Sequence, residues 1–174
     1  MKLKDEFFIR KIKEKDNQEL HHVLSSVMRE FDVPETGTAL ADPELKKMFQ
    51  AYDNHKSSYF VILKNNSLVG GAGISKLKNS NDNTCELQKM YFSIEARGKG
   101  LGSLMIDLCL KSAIEEGFEK CYIETMHNMN KAQKLYLKKG FRYLDSPLGN
   151  TGHCSCPVWT VSYTHLTLPT IYSV

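Results

Sequence analysis

The turn at residues 97–102 carries the residue types with the clearest capacity for chemistry. It consists of Arg97-Gly98-Lys99-Gly100-Leu101-Gly102 and lies between an apolar run and a helical pattern. Glycines let a backbone approach a ligand closely, and the first amides of a helix attract anions because they lack internal partners. Arg97 and Lys99 add positive charge beside such a ligand. The turn therefore predicts a pyrophosphate site, against the plainer interpretation that its glycines only form a tight connection.

Two well-known phosphate-binding patterns do not fit this turn. The dinucleotide pattern G-x-G-x-x-G, started at Gly98, requires a glycine where Ser103 stands. The P-loop pattern requires Gly-Lys followed by Ser or Thr, which the turn lacks. The pattern that does fit is R-x-x-G-x-G, from Arg97 to Gly102.

Hydrophobic periodicity indicates the elements that must position the turn. Alternating or apolar runs predict strands at 7–13, 59–64, 68–77, 85–92, 121–125 and 141–144, with a last strand from Cys154 onward. Helical spacing predicts a helix capped by Asp16, a second over 42–52 capped by Asp42, and two more over 101–117 and 132–140. The third helix lets strand 121–125 lie parallel to strand 85–92. The order predicts a mixed sheet with helices packed on it.

A second motif follows the turn at a fixed distance. The last predicted helix ends in Leu135-Tyr136-Leu137-Lys138-Lys139-Gly140-Phe141, a pattern L-Y-x-x-x-G-F. With R-x-x-G-x-G and the strand 86–92 before it, the sequence resembles the Gcn5-related N-acetyltransferase (GNAT) superfamily over most of residues 6–160. The resemblance implies an α/β (α+β) fold, with a mixed, mostly antiparallel sheet of six to seven strands flanked by about four helices.

The resemblance also implies a site for acetyl-coenzyme A, with no metal. In the family the fourth strand pairs with the pantetheine arm, and the amides of the turn wrap the pyrophosphate. Many relatives place an Asn where this chain has Met129, so the neighbouring asparagines are the candidates here. The coenzyme contacts expected on this basis are Met90, Tyr91, Phe92, Arg97, Gly98, Lys99, Gly100, Leu101, Gly102, Ser103, Asn128 and Asn130.

Acetyl transfer to an amine requires a base, because only the neutral amine is a nucleophile. Glu86 stands where several relatives place a catalytic Glu, and Glu124 is the substitute. Alternatively, Glu86 is a solvated strand residue. The resemblance places Tyr136 beside the thioester sulfur, where a phenol could protonate the leaving thiolate, although a helical Tyr is more often a packing residue. A backbone amide near Tyr91 could hold the oxyanion.

The remaining histidines and the cysteines carry weaker signals. His153 lies in a polar, glycine-rich loop where relatives often build part of the acceptor pocket, and a plain surface loop is an equal alternative. His127 lies near a predicted strand end. The 5 cysteines lack zinc-site spacing and predict reduced thiols, with Cys154 and Cys156 on the same side of a strand.

Composition limits the class of protein. The 174 residues fit one domain, and 41% hydrophobic with 25% charged residues is ordinary for a globular chain. A formal net charge of +3 without a basic run argues against nucleic-acid binding. No stretch approaches the roughly 18 apolar residues of a membrane span, and the N-terminus lacks a signal-peptide core. These observations predict a cytoplasmic protein with no membrane association.

The final segment differs from the rest. Residues 161–174 contain no Asp, Glu, Lys or Arg. The run from Val161 to Thr170 resembles the conceptual translation of a transposase-type sequencing adapter, which predicts a single domain over residues 1–160 and a non-native tail over 161–174. The alternative is a genuine strand over 158–163.

The function expected from these patterns is N-acetylation. Acetyl-coenzyme A and an amine acceptor of a small molecule or peptide would meet in a ternary complex, in a monomer or homodimer. Alternatives are a catalytically inactive coenzyme-A-binding sensor or partner-binding module, and an acetyltransferase acting on protein or tRNA.

Overall fold

The computed structural model describes residues 7–164. Its strands are β1 (Phe7–Lys11), β2 (Ser58–Lys64), β3 (Ser67–Lys76), β4 (Thr84–Phe92), β5 (Lys120–Thr125), β6 (Arg142–Leu144) and β7 (Val158–Tyr163). Its α-helices are α1 (Asn17–Glu30), α2 (Met48–Tyr52), α3 (Leu101–Glu115) and α4 (Asn130–Lys138). No helix in this described range is long and apolar enough to cross a membrane.

One sheet of seven strands organises the fold, in the order β1-β2-β3-β4-β5-β7-β6. Every neighbouring pair is antiparallel except β4 and β5, which are parallel. Helix α3 connects these two strands and supplies the crossover that a parallel pair needs. The predicted mixed, mostly antiparallel sheet with four flanking helices is therefore confirmed.

The two faces of the sheet carry separate hydrophobic clusters. On one face, Met105, Ile106 and Cys109 of α3 pack against residues of β1 to β5. On the other, Leu20, Leu24 and Met28 of α1 pack with Met48 and residues of β2. The apolar stripe that predicted α1 is the stripe that α1 buries.

The segment after α1 differs from the prediction. Instead of a helix over 42–52, the chain forms a 3-10 turn at Pro43–Lys46 and then the short α2. The Asp42 side chain makes no cap hydrogen bond, because its carboxylate is engaged with side chains elsewhere in the fold. Asp16 likewise does not cap α1, since its carboxylate binds Arg10 and the amide of Lys13.

The cysteines divide into two groups. Cys85, Cys109 and Cys121 are buried in the core as free thiols, as expected. The sequence predicted a strand at Cys154 and Cys156, but both residues lie in the loop before β7. Cys154 is exposed, and Cys156 is half-buried.

The expected domain end at residue 160 falls inside β7. Val161, Ser162 and Tyr163 continue the ladder opposite Tyr122, Cys121 and Lys120 of β5. The alternative strand over 158–163 is thus the conformation that the structure contains. The origin of the segment stays a prediction, and residues 165–174 lie outside the described residues.

Candidate active site

A fork between β4 and β5 forms the centre of the site. The parallel ladder pairs Thr84, Cys85 and Glu86 with Lys120, Cys121 and Tyr122, and it ends there although both strands continue. Beyond Glu86, β4 remains paired on its other side with β3, up to Phe92 opposite Gly70. The backbone of β4 that faces the fork is therefore available to pair with an extended ligand.

A bulge turns β4 just beyond the start of the fork. Lys89 has a φ of +51°, and the register between β3 and β4 shifts between Gly71 and Gly73. The buried hydroxyl of Tyr59 donates a 2.8 Å hydrogen bond to the Lys89 carbonyl. A Cβ on Gly70 would lie 2.3 Å from the Tyr91 carbonyl oxygen, so β3 needs glycine there to let β4 approach. The Tyr59 hydroxyl thus holds the bulge at Lys89, and Gly70 lets β3 approach β4 closely beyond it.

The glycine-rich turn has the conformation that its sequence predicts. Gly98 and Gly100 have φ values of +72° and +77°, and a Cβ on either would meet no atom within 4 Å. Gly100 precedes α3, whose first internal bond runs from the Leu104 amide to the Gly100 carbonyl. The amides of residues 101–103 therefore precede the internal ladder of α3, next to the exposed residues 98–100, and such a helix start suits an anion.

The two cations of the turn have different surroundings. The Arg97 guanidinium pairs with Glu30 at 2.5 Å, donates to the Phe92 carbonyl at 2.7 Å and lies 4.7 Å from the Phe31 ring centre. Its side chain therefore joins the turn to the end of α1, and its main-chain amide donates to the Ile94 carbonyl at 3.2 Å. Lys99 is exposed, with its Nζ 5.9 Å from the Phe7 ring centre.

Three side chains that could bind a cation converge where the fork opens. One ligand atom from each of Glu86, Glu124 and His153 lies within 4.8 Å of the others. Glu86 is 3% exposed, so it is not the solvated strand residue of the alternative interpretation. Two carboxylates and an imidazole could coordinate a metal ion, or the two carboxylates could accept hydrogen bonds from the N–H donors of a primary ammonium.

Fixed hydrogen bonds orient both carboxylates. Gln88 donates to Glu86 at 2.6 Å and accepts from the Tyr52 hydroxyl at 2.7 Å. Glu124 accepts from Tyr122 at 2.8 Å and from Thr151 at 2.7 Å. Burial raises the pKa of Glu86 above its ordinary value, and this outweighs the opposing hydrogen bond from Gln88.

Asp42 and Lys89 belong to the site although the sequence did not suggest it. The Lys89 ammonium, 1% exposed, lies 2.8 Å from an Asp42 carboxylate oxygen. The other Asp42 oxygen lies 3.2 Å from Nε2 of His153. Asp42-Pro43 matched a helix start, and Lys89 stood in a strand of mixed polarity, so neither residue carried a signal of its own.

Tyr136 is buried at the inner side of α4. It is 4% exposed and packs on Phe141 with ring centres 6.0 Å apart. Burial raises the pKa of its phenol above the ordinary value, so the hydroxyl stays protonated at neutral pH. The L-Y-x-x-x-G-F motif thus packs as a unit around the Tyr136 and Phe141 rings.

The asparagines at the start of α4 lie at the surface. Asn128 is exposed, and its side chain donates to the Phe31 carbonyl at 2.8 Å. Asn130 is exposed and donates to the Asn128 carbonyl at 3.5 Å. His127 is also exposed, and it is not part of the Glu86–Glu124–His153 cluster.

Comparison with known proteins identifies the family to which the chain belongs. The sequence pattern of the family described as Acetyltransferase (GNAT) family matches residues 20–141. The chain belongs to this GNAT family. It is therefore an acyl-coenzyme-A-dependent N-acetyltransferase, as the turn and the L-Y-x-x-x-G-F motif predicted.

Individual relatives agree with this assignment. The chain is 37% identical over 151 residues to the uncharacterized N-acetyltransferase YjgM of Escherichia coli (strain K12), covering 86% of this chain and 90% of that protein. A GNAT-family acetyltransferase from Staphylococcus aureus Mu50 has a TM-score of 0.80 at 20% identity, covering 91% and 99% of the two chains. Spermidine N-acetyltransferase from Vibrio cholerae, in complex with CoA and spermine, has a TM-score of 0.64 at 16% identity, covering 94% and 99%.

Proposed function

We propose that this chain transfers the acetyl group of acetyl-coenzyme A to a primary amine of a small molecule or peptide, by direct attack in a ternary complex. The observation that supports this most is the convergence of Glu86, Glu124 and His153 at the opening of the β4–β5 fork. A primary ammonium has three N–H donors, and the carboxylates of Glu86 and Glu124 supply acceptors close enough to receive them, beside the His153 imidazole.

The charge of the site favours a cationic acceptor. Three carboxylates, on Asp42, Glu86 and Glu124, surround the Lys89 ammonium and the His153 imidazole. Lys89 is paired with Asp42, so it leaves the other carboxylates available to the acceptor. A negative surplus in a buried site attracts an ammonium group more strongly than it would in water.

Glu86 is the proposed base. Burial moves the pKa of Glu86 toward neutral pH, and a base that takes a proton from an ammonium group works best when its pKa lies near the working pH. Glu124 is held by Tyr122, Thr151 and the neighbouring His153, which suits it to binding the acceptor. We infer that Glu86 removes the proton and that Glu124 holds the amine in place.

The acyl group would lie on the other side of the fork. The amides at residues 101–103 would bind the diphosphate, and the edge of β4 that faces the fork at 90–92 would pair with the pantetheine arm. An amide of β4 near Tyr91 would hold the oxyanion of the tetrahedral intermediate. Tyr136, whose phenol is protonated at neutral pH, would give its proton to the departing thiolate, and the second proton lost by the attacking nitrogen as the amide forms would restore it.

Thiol release from acetyl-coenzyme A with a panel of primary amines tests this proposal. We expect amine-dependent release by the wild type and a loss of at least about 100-fold in Glu86→Gln, with unchanged affinity for acetyl-coenzyme A. The matched control is Glu95→Gln, because Glu95 is exposed and pairs with Lys64 away from the fork. Binding of acetyl-coenzyme A without turnover on a broad panel would instead identify a sensor.

A further inference from the structure

A chain of alternating charges runs through the acceptor side of the site. The Lys89 ammonium lies 2.8 Å from Oδ2 of Asp42, and Oδ1 of Asp42 lies 3.2 Å from Nε2 of His153. Nδ1 of His153 lies 3.7 Å from Oε2 of Glu124. Cation and anion alternate along the four groups, with the two nitrogens of one imidazole facing two different carboxylates.

Each member of this chain comes from a different part of the fold. Asp42 belongs to the loop after α1, Lys89 to the β4 bulge, His153 to the loop between β6 and β7, and Glu124 to β5. Their side chains are largely buried, with exposed fractions of 22%, 1%, 11% and 5%. Asp42 contacts both cations, so it is the group that joins the two loops to the bulged strand.

We propose that Asp42 is a positioning residue for acetyl transfer: it holds His153, and through His153 the carboxylate of Glu124, in the place where the acceptor amine binds. This inference rests on the proposed function, because it assigns the geometry of the same acceptor site. In this role Asp42 acts through His153 and does not itself bind the acceptor. Its removal would leave Nε2 of His153 without its carboxylate partner, and the imidazole beside Glu124 would no longer be fixed.

The protonation of His153 supports this role. Burial alone lowers the pKa of the imidazole, but the hydrogen bond and the charge of Asp42 outweigh burial and raise it. The protonated ring can donate from both nitrogens, toward Asp42 and toward Glu124. Outside these four residues, the charged or titratable groups that act on the cluster are Glu86, Glu44, Cys156, Tyr91 and Tyr122.

A titration of the His153 imidazole by NMR tests the chain without any substrate. The resonance is assigned by its loss in His153→Asn. We expect a pKa above 6.5 in the wild type and a lower pKa in Asp42→Asn, because the variant lacks the carboxylate that raises it. A pKa that is the same in both proteins would overturn the inference, and this result would stand whether or not an acceptor amine had been found.

Steady-state kinetics test the positioning role. We expect Asp42→Asn to raise KM for the amine by about tenfold, because a displaced Glu124 carboxylate loses one charged hydrogen bond to the amine. KM for acetyl-coenzyme A should stay unchanged. Asp42→Glu should recover part of the loss. Glu44→Gln is the matched control, because Glu44 is 46% exposed and lies 3.9 Å from the same Lys89.

The outcomes separate positioning from general stabilisation. A merely structural Asp42 would lower the melting temperature and leave both KM values of the folded enzyme unchanged, which would contradict the proposal. If Asp42→Asn does not fold, His153→Asn removes the next group in the chain and is expected to give the same rise in KM for the amine. A His153→Asn variant with wild-type KM would overturn the proposal in that case.

Discussion

The Asp42 carboxylate lies 3.2 Å from Nε2 of His153, although 111 residues separate them in the chain. The contact joins a loop on the α1 side of the sheet to the loop that precedes β7. Because both groups are largely buried and charged, their protonation is coupled to folding. This coupling has a direct consequence for stability at acidic pH.

Asp42 is expected to make stability sensitive to pH in a defined range. His153 and Lys89 outweigh the effect of burial and lower the pKa of Asp42 to about 2, below its usual 3.8. The Asp42 carboxylate therefore stabilises the folded state by about 2 kcal/mol at pH values above 3.8, and this contribution is lost as the pH falls through about 2. Urea unfolding should show a stability difference between the wild type and Asp42→Asn that narrows over this range. A stability difference that does not change with pH would show that Asp42 does not titrate in this range.

Tyr136→Phe is expected to separate acid catalysis from packing. The ring stays in place against Phe141, so the melting temperature should change little, while kcat should fall about tenfold or more because the leaving thiolate loses its proton donor. The matched variant is Tyr143→Phe, which removes an exposed hydroxyl bonded to Gln133. Equal kcat values for the two variants would assign Tyr136 to packing alone.

The two cations of the turn are expected to differ in effect. Lys99→Ala should weaken coenzyme A binding by about fivefold, as expected for an exposed ion pair, and leave the melting temperature unchanged. Arg97→Ala should lower the melting temperature, because it removes the contacts to Glu30, Phe31 and the Phe92 carbonyl. Calorimetric titration and thermal unfolding of both variants distinguish these effects. Weaker coenzyme A binding by Arg97→Ala, with an unchanged melting temperature, would instead place the Arg97 side chain on the ligand.

The last strand can be tested by shortening it. A chain that ends at Thr160 loses the β7 pairs with Lys120, Cys121 and Tyr122, and also the bonds from Thr164 to the Phe118 and Glu119 carbonyls. We expect it to melt at a lower temperature than a chain that ends at Thr164. Identical melting of the two chains would place the boundary of the domain at residue 160.

Local signals in the sequence predicted most of the fold. The helical stripe at Leu20, Leu24 and Met28 and the R-x-x-G-x-G turn each depend on neighbours a few residues apart. The parallel pairing of β4 and β5 followed from the helix between them. The second helix was predicted too long because Asp42-Pro43 matches a helix start, whereas Asp42 is engaged by Lys89 and His153.

The candidate site was predictable only in part, for a related reason. Glu86 and Tyr136 stood at positions that the family resemblance marks. Glu124 lay on the neighbouring predicted strand, and His153 lay in a polar, glycine-rich loop. The Asp42–Lys89–His153 contacts join residues that are distant in sequence, and no spacing encodes such contacts. The Lys89 bulge depends on Gly70 and Tyr59 in neighbouring strands, so it too required the folded chain.

The central claim is that the fork and the turn after it bind the acyl donor. Amide hydrogen exchange with and without coenzyme A tests this most directly, because it reports main-chain groups one segment at a time. We predict protection at residues 90–92 and 98–103, and little change over residues 112–115, at the opposite end of α3 from the turn. Coenzyme A that leaves exchange at the turn unchanged, or that protects another surface instead, would contradict the account.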